Sequence, residues 1–144
     1  DIGYSRIGLW VANFDAALAR LDKLGSPPLT APMGERGRRR ACVRCPDGVF
    51  GEVMEDDVLA GRTRAVRPQC PVALRYVTLS VPDFEKSRQF FSGALQLAPS
   101  DVALHTPAHE ALWGLDGARP QSLVLDAGDG LGPLRLHRGA TGNR

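Results

Sequence analysis

The chain is 144 residues long and 43% hydrophobic, which suits one compact domain with a buried core. Its 18 Lys and Arg against 16 Asp and Glu leave a net charge of +2, too balanced to call for nucleic acid or an anionic membrane as partner. No apolar run approaches the roughly 20 residues of a membrane span, and three cysteines (Cys42, Cys45, Cys70) are too few and too uneven for a disulfide framework, which points to a reducing, cytoplasmic setting.

In chain order, residues 5 to 12 alternate Ile7, Leu9 and Val11 on one face with Arg6, Gly8 and Trp10 on the other, the pattern of a strand with two differently occupied faces. Asn13 is the expected N-cap of a helix whose Phe14, Ala17, Leu18, Leu21 and Leu24 recur at helical spacing before Gly25 and the Pro27-Pro28 stop. A short strand near 28 to 31, a second over Arg39 to Arg44, a Pro46-Asp47-Gly48 turn and a third over Val49 to Glu55 complete a βαβββ unit. Cys42 and Cys45 have the spacing of a zinc knuckle but lack a second pair, so they are read as strand residues filling core space.

After a connector at 58–71, a second unit starts. Val77, Leu79 and Val81 face one way and Tyr76, Thr78 and Ser80 the other; Asp83 caps a helix carrying Phe84, Phe91 and Leu95; strands are expected at about 121 to 126 and 133 to 137, with Asp126 and Asp129 as turn residues. The segment Ile7-Gly-Leu-Trp-Val-Ala-Asn-Phe-Asp15 aligns at an offset of 70 residues with Val77-Thr-Leu-Ser-Val-Pro-Asp-Phe-Glu85, so the chain contains one module twice. The domain expected is 1–144, with modules at 4–57 and 72–138 and a frayed polar tail at 139–144.

The opening Ile-x-Leu-x-Val strand, the Asp-Ala-Ala-Leu-Ala-Arg-Leu helix and the Arg-Arg-Ala-x-Val-Arg-Cys-Pro-Asp-Gly hairpin, in this order and repeated, resemble the vicinal oxygen chelate superfamily of glyoxalases, bleomycin-resistance proteins and extradiol dioxygenases. The resemblance implies an α+β fold in which two tandem βαβββ modules, related by a pseudo-twofold, curl their sheets into a cup with the helices outside. It also implies, in metal-dependent members, ligands at the start of each first strand and in each last strand. Those places fall here on Arg6 and Tyr76, and on Glu52 and Leu134 or Arg135. Glu52 is the one conventional ligand among them, so no metal is favoured. Unit one also resembles a closing module and unit two an opening one, with its His-x-x-x-His-Glu-Ala-Leu-Trp-Gly stretch, as in a slice of a longer four-module protein.

Strand parity would line the cup with Arg6, Trp10, Phe50, Glu52, Met54, Tyr76, Thr78 and Arg135, surfaces suited to a flat, partly polar ligand. The expected function is therefore metal-independent binding of a small aromatic or amphipathic molecule, of the kind that sequesters a drug or natural product, by a homodimer or a pairing with further modules. The enzyme alternative is a lyase, isomerase or dioxygenase with Glu52 catalytic, holding Fe, Mn, Zn or Ni together with His105, His109 or His137; a further alternative is an interaction module without a ligand. Glu52 is expected to pair with Arg6 across the cup. His105 and His109 are read as surface-loop residues, because Pro107 interrupts the helix that a His-Glu-x-x-His site needs. Trp113 is read as packing rather than stacking. The run Arg36, Arg38, Arg39, Arg40 and Arg44 is expected to be a solvated edge that discourages aggregation.

Overall fold

In the computed structural model, residues 3–65, 69–105, 109, 112 and 121–138 are described. Trp113, Glu110, Pro107 and the 139–144 tail lie outside them. The elements are β1 (Gly3–Val11), α1 (Phe14–Lys23), β2 (Arg40–Arg44), β3 (Phe50–Met54), β4 (Val72–Ser80), α2 (Phe84–Arg88), a π-helical turn (Gln89–Ala94), β5 (Ala98–Pro99), β6 (Gln121–Asp126) and β7 (Leu134–Arg138). No helix among the described residues is long and apolar enough to cross a membrane.

The strands form one seven-stranded sheet in the order β2-β3-β1-β4-β7-β6-β5. At its centre β1 and β4, the two copies of the repeated strand, run antiparallel. Each is flanked by the last strand of its own module in parallel, β3 on one side and β7 on the other. This is the paired-module arrangement that the repeat predicts, with three strands in the first module and four in the second.

Period-two alternation sends one set of side chains to the helices. Val11, Ala41, Val43 and Val53 bury against Phe14 and Ala17 of α1, and Leu125 and Leu136 against Phe84 of α2. Both helices start on a side-chain cap, as their sequences predict: Asn13 Oδ1 accepts from Ala16 N–H and Asp83 Oδ1 from Lys86 N–H. The second helix departs from its predicted stripe, because the chain widens into the π-helical turn after five residues and leaves Leu95 56% exposed.

The expected strand near 28 to 31 does not form. Leu29 N–H bonds to Cys42 C=O and Met33 makes an isolated bridge to Arg40, since Pro27, Pro28 and Pro32 remove the donors a ladder needs. The connector is also more than a spacer. Its Val58 and Leu59 fold over the face opposite the helices and pack with Met54, Tyr76 and Leu104, and Arg64 N–H bonds to Gly130 C=O in the β6–β7 turn. Asp126 and Asp129 accept from the backbone two residues on, as turn residues do.

Candidate functional site

The inner face of the sheet is built by register. Glu52 on β3 lies beside Gly8 of β1 and Cys42 of β2, and Gly8 lies beside Tyr76 of β4. A glycine at the crossing leaves the space over β1 open, and the Tyr76 ring fills it. The phenol thereby crosses one strand and donates its O–H to Glu52 Oε2. Arg40, one inward-facing step from Cys42 along β2, brings Nη1 to 2.9 Å from Glu52 Oε1, with Nε 3.6 Å from Asp56 Oδ1. The loop after β5 supplies His105, whose Nε2 lies 2.5 Å from Glu52 Oε2 and 3.1 Å from the Tyr76 hydroxyl. The His109 ring stands 6.1 Å from that of His105, edge to face.

Glu52 is fully buried. Burial would raise its carboxyl, but the His105, Arg40 and Tyr76 contacts outweigh that and hold it down to about 2. The carboxylate is thus ionised at neutral pH. Tyr76 moves the other way, since burial and the adjacent Glu52 charge push its hydroxyl well above the usual tyrosine range. It is a fixed hydrogen-bond donor.

Several expectations change here. The ion-pair partner of Glu52 is Arg40, not Arg6. Arg40 is correspondingly not part of a solvated edge; it is 3% exposed, while Arg39 clamps Asp15 and Glu55 and Arg44 lies over the Phe50 ring. His105 is not a surface residue either, because its side chain closes on Glu52. Arg6, Met54, Tyr76, Thr78 and Arg135 share the inner face and are buried, whereas Trp10 and Phe50 are half-buried. Loop residues cover Met54 and Tyr76, so those two present no open stacking surface. His137 is buried on β7 between Ser80 and Ser122. Cys42 shares the inner face with Glu52, but Cys45 Sγ would lie 3.5 Å from a Cβ on Gly51 on the helix side, so the two thiols point apart and form no knuckle.

A cavity of about 200 Å³ adjoins this cluster, bounded by Ser100, Val102, Ala103, Leu104 and His105 from the loop and by Ser122, Leu123, Val124 and Arg135 from β6 and β7. Its lining mixes apolar side chains with an imidazole, a guanidinium and two serines.

The divalent metal that the resemblance implies does not fit these residues. Both oxygens of Glu52 already accept from Arg40, Tyr76 and His105, and Arg6 and Arg135 occupy two of the ligand places with buried cations. Among the described residues, no three His, Cys, Asp or Glu gather as a metal site.

No protein-family model and no curated protein matches the sequence. Solved structures do match its fold. A mutant of glyoxalase I from Zea mays superposes with a TM-score of 0.59 at 20% identity over 96% of this chain and 43% of that one, so the chain spans less than half of the maize enzyme. Methylmalonyl-CoA epimerase from Mycobacterium tuberculosis gives 0.57 at 14% identity over 96% and 88%, and a mutant of the Streptomyces coelicolor epimerase in complex with 2-nitronate-propionyl-CoA gives 0.56 at 13% identity over 97% and 99%. The chain has the paired βαβββ fold of the vicinal oxygen chelate superfamily, to which glyoxalase I and methylmalonyl-CoA epimerase belong.

Proposed function

We propose that the chain is an isomerase- or lyase-type enzyme that transfers a proton on a small, oxygen-rich substrate, with His105 as the acid or base and the adjoining cavity as the substrate site. The observation that carries this reading is the 2.5 Å contact between His105 Nε2 and the ionised Glu52, made in the wall of a cavity that Arg135 also lines. A carboxylate facing Nε2 selects the neutral tautomer with its proton there and leaves Nδ1 as the basic nitrogen. Glu52 is a positioning residue in this scheme; with both oxygens engaged and its carboxyl at about 2, it is a poor base itself.

Two further points support an enzyme over a sequestration protein. The matched structures named above are enzymes, a glyoxalase I and two methylmalonyl-CoA epimerases. The cavity, about 200 Å³, falls below the roughly 300–1,000 Å³ of pockets for drug-sized ligands.

The test is carbon-bound proton exchange in D2O followed by NMR, with methylmalonyl-CoA and small 2-oxo acids as probes. Exchange should be catalysed by the protein and fall about 10²- to 10⁴-fold in His105→Gln, the usual contribution of a general acid or base. A folded wild-type protein that exchanges none of them, yet binds one, would return the function to binding alone.

A further inference from the structure

We propose that Ser122, assisted by Ser100, is the oxyanion donor of the cavity: its hydroxyl receives the oxygen of a short-chain carbonyl substrate and stabilises the enolate that forms when His105 removes a proton from the neighbouring carbon. The proposal names the substrate class and a second catalytic group for the cavity, and it rests on that cavity being the substrate site.

Strand register brings the two hydroxyls to one place. Val124 of β6 faces the inner side of the sheet, where it packs on the cluster of Met54, Tyr76 and Leu104. Ser122 lies two residues before it on the same strand and so shares its face. Just beyond β5, Ser100 N–H bonds to Val124 C=O at 2.8 Å. This fastens Ser100 beside Val124, on the side away from Arg135, the partner of Val124 on β7. Both serines line the same cavity as His105.

Hydrogen bonding sets how Ser100 works. Its Oγ accepts from Val102 N–H at 3.2 Å, which keeps its own O–H as a donor. Ser122 stands at a more open place than Ser100, where a hydroxyl exchanges water for a ligand's oxygen at little cost. The side chains of Val102, Ala103, Leu104 and Val124 carry no donor. A carbonyl oxygen in the cavity therefore meets hydrogen bonds at the serines, and the Arg135 guanidinium adds positive charge to the same wall.

A hydroxyl in that position answers a need of the chemistry. When the C–H bond next to a carbonyl breaks, the proton goes to His105 Nδ1, its electron pair becomes the carbon–carbon double bond, and the carbonyl π pair moves onto oxygen. Negative charge thus develops on the oxygen. A donor held there lowers the barrier, because its hydrogen bond is stronger to the enolate than to the carbonyl. Return of the proton from His105 completes the exchange with no other reactant. At about 200 Å³, the cavity suits a short carbonyl compound rather than a large ring system.

Proton exchange in D2O with pyruvate and 2-oxobutanoate as probes tests the assignment on the full chain. Ser122→Ala should lower kcat for exchange about tenfold or more and change KM by less than about threefold, and Ser122→Thr, which keeps the hydroxyl, should recover most of the loss. Circular dichroism checks that both variants fold. Exchange by Ser122→Ala within twofold of wild type would overturn the assignment and spare His105 as the proton carrier. Calorimetric titration with oxalate, a planar mimic of an enolate, reads the same group without turnover, and Ser122→Ala should bind it at least about fivefold more weakly. If the wild type exchanges neither probe, oxalate decides. Binding that depends on Ser122 would then keep this serine as the oxygen-binding group while the enzyme reading falls; no binding, or binding indifferent to Ser122, would overturn the assignment as well.

Discussion

The ring of Tyr76 occupies the space over Gly8, its partner on the neighbouring strand, so closely that a Cβ at residue 8 would overlap Cδ1, Cε1 and Cζ of the ring. Gly8 is thus what lets the phenol cross β1 and reach Glu52 on β3. Gly8→Ala should destabilise the fold by about 1–3 kcal/mol, the usual cost of overpacking, and should change the near-UV circular dichroism of Tyr76. Urea denaturation indistinguishable from wild type would show that the ring has another place to go.

The pair of Arg40 and Glu52 is buried at both ends. Removing one partner leaves the other charge in a dry interior, so Arg40→Met should cost about 3–5 kcal/mol. Adding Glu52→Gln in the same chain should recover much of that loss. A double-mutant cycle by chemical denaturation measures it, and strictly additive losses would argue against the pairing.

The same carboxylate makes stability depend on acid. Its folded value of about 2 lies below the ordinary 4.5, so it contributes stability that is fully present above about 4.5 and is lost as the pH falls from there towards 2. The contribution is on the order of 3 kcal/mol. Glu55, held at about 2 by Arg39 at the surface, titrates in the same window, and the comparison with Glu52→Gln removes it. Melting temperature against pH should fall more steeply for wild type than for Glu52→Gln. Parallel profiles would place the acid sensitivity elsewhere.

The thiols should report their environments. Cys70 is exposed, whereas burial and the neighbouring Glu52 charge push the Cys42 thiol up to about 12. A disulfide reagent at neutral pH should therefore label Cys70 rapidly in the native protein and Cys42 only on unfolding. Rapid native labelling of Cys42 would mean that the inner face opens.

A donor set of one carboxylate and one imidazole among guanidiniums should not hold a divalent ion. Adding Mn²⁺, Fe²⁺, Zn²⁺ or Ni²⁺ to the purified protein should leave its melting temperature unchanged, because a ligand that binds the native state raises it. A clear shift with stoichiometric metal on elemental analysis would contradict the fit derived from Glu52, Arg40 and His105.

Much of the architecture was written locally. The side-chain direction of a strand alternates, so Arg6, Gly8, Glu52, Met54, Tyr76, Thr78 and Arg135 could be assigned to one face from the sequence without coordinates, and the repeat itself implied two βαβββ modules. Asn13 and Asp83 cap their helices through contacts three residues long. The partners of Glu52 were not legible in the same way. Arg40 stands in a run of five arginines that composition cannot separate, and only the register of β2 on β3 turns this one inward. His105 lies 53 residues from Glu52 along the chain, and Val58 and Leu59 reach Met54 only when the connector folds back. Local periodicity states which face a residue takes; which distant residue meets it there depends on strand register and loop closure, and these are decided when the whole chain packs.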